Sequence, residues 1–136
     1  MRAKSGIMRG REFLMKDLYS FTSSDEEHQK IYEQVRQAYD KVFERIGIGD
    51  KTWYTFASGG FFTDFSHEFQ TICDAGEDTI YTSKDKKLAV NKEVLNDKVL
   101  KELGLIKEEL EEQKAAEVGN IFDFGTGYTK TMNMTF

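Results

Sequence analysis

The sequence predicts an α+β domain in which an antiparallel sheet carries flanking helices. Apolar residues recur at steps of three and four between residues 25 and 46, which is typical of an amphipathic helix. Several short segments rich in β-branched and aromatic residues follow, and glycine, serine and aspartate separate them, as in sheets built from short strands. The chain has 136 residues, which fits one domain with a modest core.

The predicted helix over residues 25–46 begins and ends at clear signals. Ser23 or Ser24 can cap it, with Glu26 or Glu27 as the capping-box partner. Glycines that follow residue 46 end the helix. Its apolar stripe is predicted to consist of Ile31, Val35, Ala38, Val42 and Ile46.

Strands are predicted at residues 11–21, 52–57, 66–73, 79–82 and 88–90. Alternation along residues 66–73 places His67 and Phe69 on one face and Glu68 and Gln70 on the other. Residues 95–114 are charged and have a helical period, so they are predicted to form a short charged helical segment.

Composition excludes several classes of protein. One cysteine, Cys73, cannot form an internal disulfide, which indicates a reducing compartment and predicts a cytoplasmic location. Two histidines with one cysteine argue against an ordinary zinc site, and no metal site is predicted. Neither a membrane span nor a signal peptide is recognisable.

Charge is distributed unevenly. The net charge is −5, yet residues 1–16 hold five basic side chains and one acid. A short basic stretch on an acidic chain favours a local anion such as a phosphate over a long DNA or RNA footprint. The alternative, a solvated basic segment, stays open at this point.

Two local patterns resemble functional sites, and only the second is consistent with one. Ser66, His67 and Glu68 are not a catalytic triad, because neighbours on a strand point to opposite faces. Arg9 and Arg11 precede Phe13, and guanidinium forks with an aromatic ring suit the phosphates and purine of a nucleoside triphosphate. The alternative is that Phe13 belongs to the core.

Five strings then occur in one order along nearly the whole chain: RAKSGIMRGREFLMKDLYSF, SHEFQ, GEDTI, AVNKE and EVGNIFDFGTGYTKTMNMTF. Together they resemble the catalytic core of a bacterial-type prolyl-tRNA synthetase, a class II aminoacyl-tRNA synthetase. The resemblance implies ATP-dependent activation of proline and transfer of the prolyl group to tRNA-Pro. It also implies ATP with Mg²⁺, a homodimeric full-length enzyme, and no membrane or DNA partner.

The resemblance also implies roles for particular residues. Arg9 would stabilise ATP phosphate and Phe13 would stack on adenine, with Arg11 assisting, because Arg9 and Phe13 match the Arg-x-x-x-Phe ending of class II motif 2. The residues that match positions of the proline pocket are Met15, Asp17, Tyr19, Phe56, His67 and Thr126. Asp17 would accept a hydrogen bond from the proline ammonium. Without the resemblance, Asp17 reads as a turn acid and His67 as a core histidine.

Departures from the family pattern limit the expected activity. Motif 1, the Arg-x-Glu strand of motif 2, motif 3 and the anticodon-binding domain are not found in residues 1–136, and residues 95–114 stand where many bacterial members carry an editing domain. We therefore expect a partial catalytic core that does not charge tRNA alone, with open sheet edges that favour aggregation. The alternatives are a non-catalytic synthetase-like module that binds ATP, an amino acid or a partner protein, and a folded fragment without a ligand.

Overall fold

The computed structural model describes residues 10–15, 17–59 and 65–135, with Phe65 described by its backbone alone. The chain consists of two compact units, Met1–Ile31 and Tyr32–Phe136. The helices are α1 (Asp25–Arg45), α2 (Asp97–Leu103) and α3 (Gly127–Thr131). The strands are β1 (Thr52–Ser58), β2 (Phe65–Ile72), β3 (Asp78–Ser83), β4 (Leu88–Asn91) and β5 (Glu111–Ile121).

The five strands of the second unit close into a barrel in the order β1-β2-β5-β3-β4. Four neighbouring pairs are antiparallel, while β1 and β4 are parallel. The α+β class is confirmed, but the prediction of a plain antiparallel sheet is wrong. Strand direction cannot alternate all the way round a ring with an odd number of strands, so one pair must be parallel. Closure also leaves the described barrel without the open edges that the sequence predicted.

Helix α1 begins at the predicted residue and ends one residue earlier than predicted, so this prediction is confirmed. The Ser24 hydroxyl accepts a hydrogen bond from the Glu27 N–H at 3.2 Å. The Glu27 carboxylate in turn accepts from the Ser23 N–H at 3.0 Å, so the reciprocal bond of the capping box goes to the residue before the capping Ser24. Asp25, Glu26 and Glu27 fill the first turn, where negative charge is favoured by the helix dipole.

The buried face of α1 differs from the predicted stripe. Val42 and Ile46 are 49% and 63% exposed. Instead, aromatic side chains join Val35 against Phe69 of β2, and these are Tyr32, Tyr39 and Phe43. Aromatic rings bury far more area than Ala38 or Val42, so the larger hydrophobic gain selects the aromatic face.

The barrel interior holds a small apolar cluster beside polar groups. Ile80, Ala89 and Ala115 are fully buried there and contact one another. The amide of Gln70 donates to Glu68 at 3.0 Å and to Asp78 at 2.8 Å. Burial, with the nearby charges of Glu117 and Asp78, raises the pKa of Glu68.

Two predicted elements are wrong. Residues 95–114 are α-helical only over α2, which begins at the cap Asn96 and ends at Gly104 in a left-handed conformation, and a single 3-10 turn follows at Lys107–Glu109. Residues 111–114 instead begin β5, which pairs with both β2 and β3, so tertiary pairing overrides the helical period. The described residues of 11–21 have no regular secondary structure, because no described strand pairs with them.

Of the helices in the described part of the chain, none combines the length and the apolar character that a membrane crossing requires.

Replacing Phe69 by alanine should lower the free energy of unfolding by about 3–5 kcal/mol. Phe69 is 1% exposed and its ring lies 4.7 Å from that of Tyr39 and 5.3 Å from that of Phe43. Urea denaturation measures the change. The matched control is Phe13→Ala: this ring is 57% exposed, so its loss should alter the unfolding free energy by no more than about 0.5 kcal/mol. Equal effects of the two substitutions would contradict the assignment of the core.

Replacing Glu68 by glutamine should stabilise the protein at neutral pH by on the order of 1 kcal/mol. The raised pKa of Glu68 means that the native state holds this proton more tightly than the unfolded state. The wild type therefore loses stability relative to the variant as pH rises through the pKa of Glu68 in the native state. Urea denaturation between pH 4 and pH 8 measures this difference, and exposed Glu102→Gln is the control. A variant that is less stable than wild type at pH 8 would refute the account.

Candidate functional site

His67 of β2 lies among aromatic rings on the outer face of the barrel. Phe56 of β1 is its direct partner in the strand register, and the two ring centroids are 5.6 Å apart in an edge-on arrangement. Tyr54 stacks on the imidazole with centroids 4.5 Å apart and an interplanar angle of 12°. Because side chains alternate along β1, Tyr54 and Phe56 reach the same face of the sheet. The structure therefore brings together two predicted site residues, Phe56 and His67.

The helix α1 adds a third aromatic residue to this group. The Tyr32 hydroxyl lies 2.8 Å from Nδ1 of His67 and donates to the carbonyl of Ile121 at 3.2 Å. The rings of Tyr32 and His67 meet edge-on at 6.0 Å. We call Tyr32, Tyr54, Phe56 and His67 the His67 cluster.

Electrostatics keep the imidazole neutral. Burial and the positive charge of Arg36 lower the pKa of His67 to about 4. Arg36 lies over the Tyr54 ring, 5.3 Å from its centroid. Its guanidinium is held by Glu33 at 2.7 Å and by Asp40 at 3.2 Å. Burial also raises the pKa of Tyr32 to about 12, so the cluster carries no ionised side chain at pH 7.

This arrangement suits a small apolar ligand with a polar nitrogen. Aromatic faces and edges give apolar contact, and a neutral imidazole has one nitrogen that donates and one that accepts. In the described part of the chain, no group of three or more histidine, cysteine, aspartate or glutamate residues could hold a metal ion.

Five of the predicted site residues of the first unit lie in irregular stretches that the structure describes, and all are exposed at the surface: Arg11, Phe13, Met15, Asp17 and Tyr19. Their assumed position on one strand face is not observed, since the described residues of 10–15 and 17–21 form no strand. Arg9 lies outside the described residues.

Thr126 precedes α3 and is exposed. Its hydroxyl makes no capping hydrogen bond, while its carbonyl accepts from the Lys130 N–H at 3.0 Å and the Thr129 hydroxyl at 3.1 Å. The backbone of Thr126 therefore supports the start of α3.

Sequence reasoning missed Tyr32, Tyr54 and Arg36. A signal existed for Tyr32, because Tyr32, Tyr39 and Phe43 recur at helical spacing. Tyr54 lies two residues before Phe56, so alternation along β1 places it on the same face as Phe56, which the resemblance had indicated. For Arg36 no signal existed, since its contact with Tyr54 depends on the packing of α1.

Acidification should destabilise the protein through His67. Its pKa is about 4 in the native state against an ordinary value of 6.5, so the native state binds this proton less readily than the unfolded state. The free energy of unfolding should therefore decrease by about 3 kcal/mol in total as pH falls from 6.5 towards 4.

Urea denaturation at a series of pH values measures this contribution as the difference between wild type and His67→Asn. The control His28→Asn retains His67, so its pH dependence should follow the wild type. A constant difference between wild type and His67→Asn over this range would refute the burial of a neutral imidazole.

Comparisons with known proteins agree on the family to which the chain is similar. The family profile described as tRNA synthetase class II core domain (G, H, P, S and T) matches residues 1–136. Proline--tRNA ligase of Sulfurimonas denitrificans is 34% identical over 153 residues, which cover 99% of this chain and 35% of that protein. Probable proline--tRNA ligase, mitochondrial, of Rattus norvegicus is 36% identical over 139 residues, covering 99% of this chain and 28% of that protein.

A higher identity over a shorter stretch is found with proline--tRNA ligase of Maridesulfovibrio salexigens, 45% over 87 residues, covering 64% of this chain and 15% of that protein. The chain thus spans at most about a third of the length of these curated relatives. The match of the family profile to the whole sequence shows that the chain belongs to the class II tRNA synthetase core domain family.

Proposed function

We propose that the chain contributes to a proline–tRNA ligase and that the His67 cluster forms a wall of its proline pocket. The observation that carries the proposal is the neutral imidazole of His67 packed against the rings of Tyr54 and Phe56. The pyrrolidine ring of proline is small and apolar, so it gains from contact with aromatic faces. Its secondary ammonium offers N–H donors, which a neutral imidazole nitrogen can accept. The names of the relatives point to the same amino acid.

The ATP side of the site is proposed for the first unit. Arg9 and Arg11 would bind the phosphates of ATP, which arrives with Mg²⁺, and Phe13 would stack on adenine. An arginine fork offsets the charge that develops on pyrophosphate as it leaves, which favours formation of prolyl-adenylate. The prolyl group then passes to the 3′ end of tRNA-Pro.

The remaining proline contacts are proposed for Met15, Asp17, Tyr19 and Thr126. A carboxylate such as Asp17 accepts from an ammonium and offsets its charge. His67 alone, being neutral, cannot supply that charge.

We propose that the activity requires more protein than residues 1–136 provide, because the relatives named proline--tRNA ligase are about three times as long. The chain by itself then binds the adenylate without charging tRNA. In this proposal residues 95–114 replace an editing domain by a short charged segment. A homodimer and a cytoplasmic location belong to the proposal for the longer enzyme.

Calorimetric titration with a non-hydrolysable prolyl-adenylate analogue tests the proposal. We expect saturable binding that weakens about 10- to 100-fold in Arg9→Ala and in His67→Ala, because each loses a hydrogen bond with a charged ligand group. Arg45→Ala, at an exposed site on α1, is the control and should bind like the wild type.

The analogue with alanine in place of proline should bind more weakly, because the pyrrolidine contacts are lost. Equal binding of the two analogues would refute proline as the ligand and favour a non-catalytic module. No binding to a folded sample would show that residues 1–136 do not form the site.

A further inference from the structure

The Tyr32 hydroxyl is a junction between a helix and two strands. It lies 2.8 Å from Nδ1 of His67 and 3.2 Å from the carbonyl oxygen of Ile121. An interaction with the Tyr54 side chain opposes the effect of burial on the pKa of Tyr32. One phenol oxygen therefore lies within hydrogen-bonding distance of two polar neighbours on two strands.

The number of protons at this junction restricts the direction of each hydrogen bond. A phenol has one proton to donate and two lone pairs to accept with. The carbonyl of Ile121 can only accept, so it takes the proton of Tyr32. With that proton used, Tyr32 offers only lone pairs to Nδ1 of His67 at 2.8 Å, so Nδ1 must carry the hydrogen of this bond.

The reverse assignment is unfavourable. If Tyr32 donated to Nδ1, its oxygen would face the Ile121 carbonyl oxygen at 3.2 Å with no hydrogen between them. Two acceptors at that distance repel each other, and a hydrogen bond would be lost as well.

We propose that Tyr32 is a positioning residue that holds His67 as its Nδ1–H tautomer and so leaves Nε2 as an acceptor for an N–H group of the ligand. The identity of that ligand as proline rests on the function proposed above, whereas the tautomer does not. Among the residues that the structure describes, none is seen to hydrogen-bond Nε2.

The tautomer decides what the imidazole offers to a ligand. Proline and prolyl-adenylate present only N–H donors at their amine, so an Nε2–H tautomer would set donor against donor. A lone pair at Nε2 accepts one of these hydrogens and fixes the ring of the ligand against Tyr54 and Phe56. Tyr32 therefore acts on ligand binding without contact to the ligand.

Nitrogen NMR of the full chain, labelled with ¹⁵N-histidine, tests the tautomer directly at pH 7. We expect the His67 signals to show a protonated Nδ1 and an unprotonated Nε2. The chain has two histidines, and His28→Asn assigns the signals. In Tyr32→Phe the ratio of Nδ1–H to Nε2–H should fall about 2- to 12-fold, as expected for the loss of one hydrogen bond.

Tyr39→Phe is the matched control. Tyr39 also lies on α1, and its hydroxyl donates to the carbonyl of Asn120 on β5 at 3.1 Å. The variant therefore loses a helix-to-strand hydrogen bond of the same kind but none with His67, and its tautomer ratio should equal that of wild type. Circular dichroism verifies that both variants are folded. If Tyr32→Phe is unfolded, the nitrogen NMR spectrum of the wild type alone decides the tautomer.

Three results would overturn the positioning role: a wild-type His67 that carries its hydrogen on Nε2, an unchanged ratio in Tyr32→Phe, or an equal change in Tyr39→Phe. Titration with the prolyl-adenylate analogue separates this inference from the proposed function. A bound analogue that leaves the Nε2 signal unmoved refutes the acceptor role of His67. An Nδ1–H tautomer that depends on Tyr32 in a protein that does not bind the analogue supports the positioning role and refutes the proline pocket.

Discussion

Side chains alternate along β2, so this strand contributes both to the interior of the barrel and to the aromatic core between the barrel and α1. His67 and Phe69 point outward, where Phe69 meets the aromatic face of α1, while Glu68 and Gln70 point into the barrel. A shift of the strand register by one residue would exchange these sets. Carboxyl and amide groups would then lie among the aromatic rings, and both the core and the His67 cluster would be lost. The register of one strand thus determines the packing of the protein and the chemistry of the candidate site.

Much of the fold could be predicted because its signals are local. The capping serines and Glu27 define the start of α1, and the alternating residues of 66–73 assign His67 and Phe69 to one face. The buried face of α1 was predicted wrongly because the stripe was drawn from aliphatic residues, although Tyr32, Tyr39 and Phe43 also recur at helical spacing. The strand β5 was concealed because its first residues are charged and become a strand only by pairing with β2 and β3.

The candidate site likewise combines residues that the sequence predicted with residues whose contacts depend on tertiary packing. His67 was predicted from the string SHEFQ and Phe56 from the same family resemblance, and the strand register places them opposite each other. Tyr32 shares the helical spacing of Tyr39 and Phe43, but its contact with His67, like that of Arg36 with Tyr54, follows from the packing of α1. Arg36 illustrates how a residue outside the cluster affects it, since its charge favours a neutral imidazole beyond the effect of burial. The protonation state of His67 is therefore a property of the whole assembly of helix and barrel.

The parallel pair that closes the barrel has a consequence for its motions. Only three residue pairs join β1 to β4, whereas seven join β1 to β2. Since each backbone hydrogen bond contributes to holding a pair together, the seam between β1 and β4 is the easiest place for the ring to part. Opening there would free one side of β1, the strand that carries Tyr54 and Phe56, while its other side stays joined to β2. During such opening Tyr54 and Phe56 would stay beside His67, because β1 remains paired with β2. The slowest exchange of backbone amide hydrogens is expected along β2.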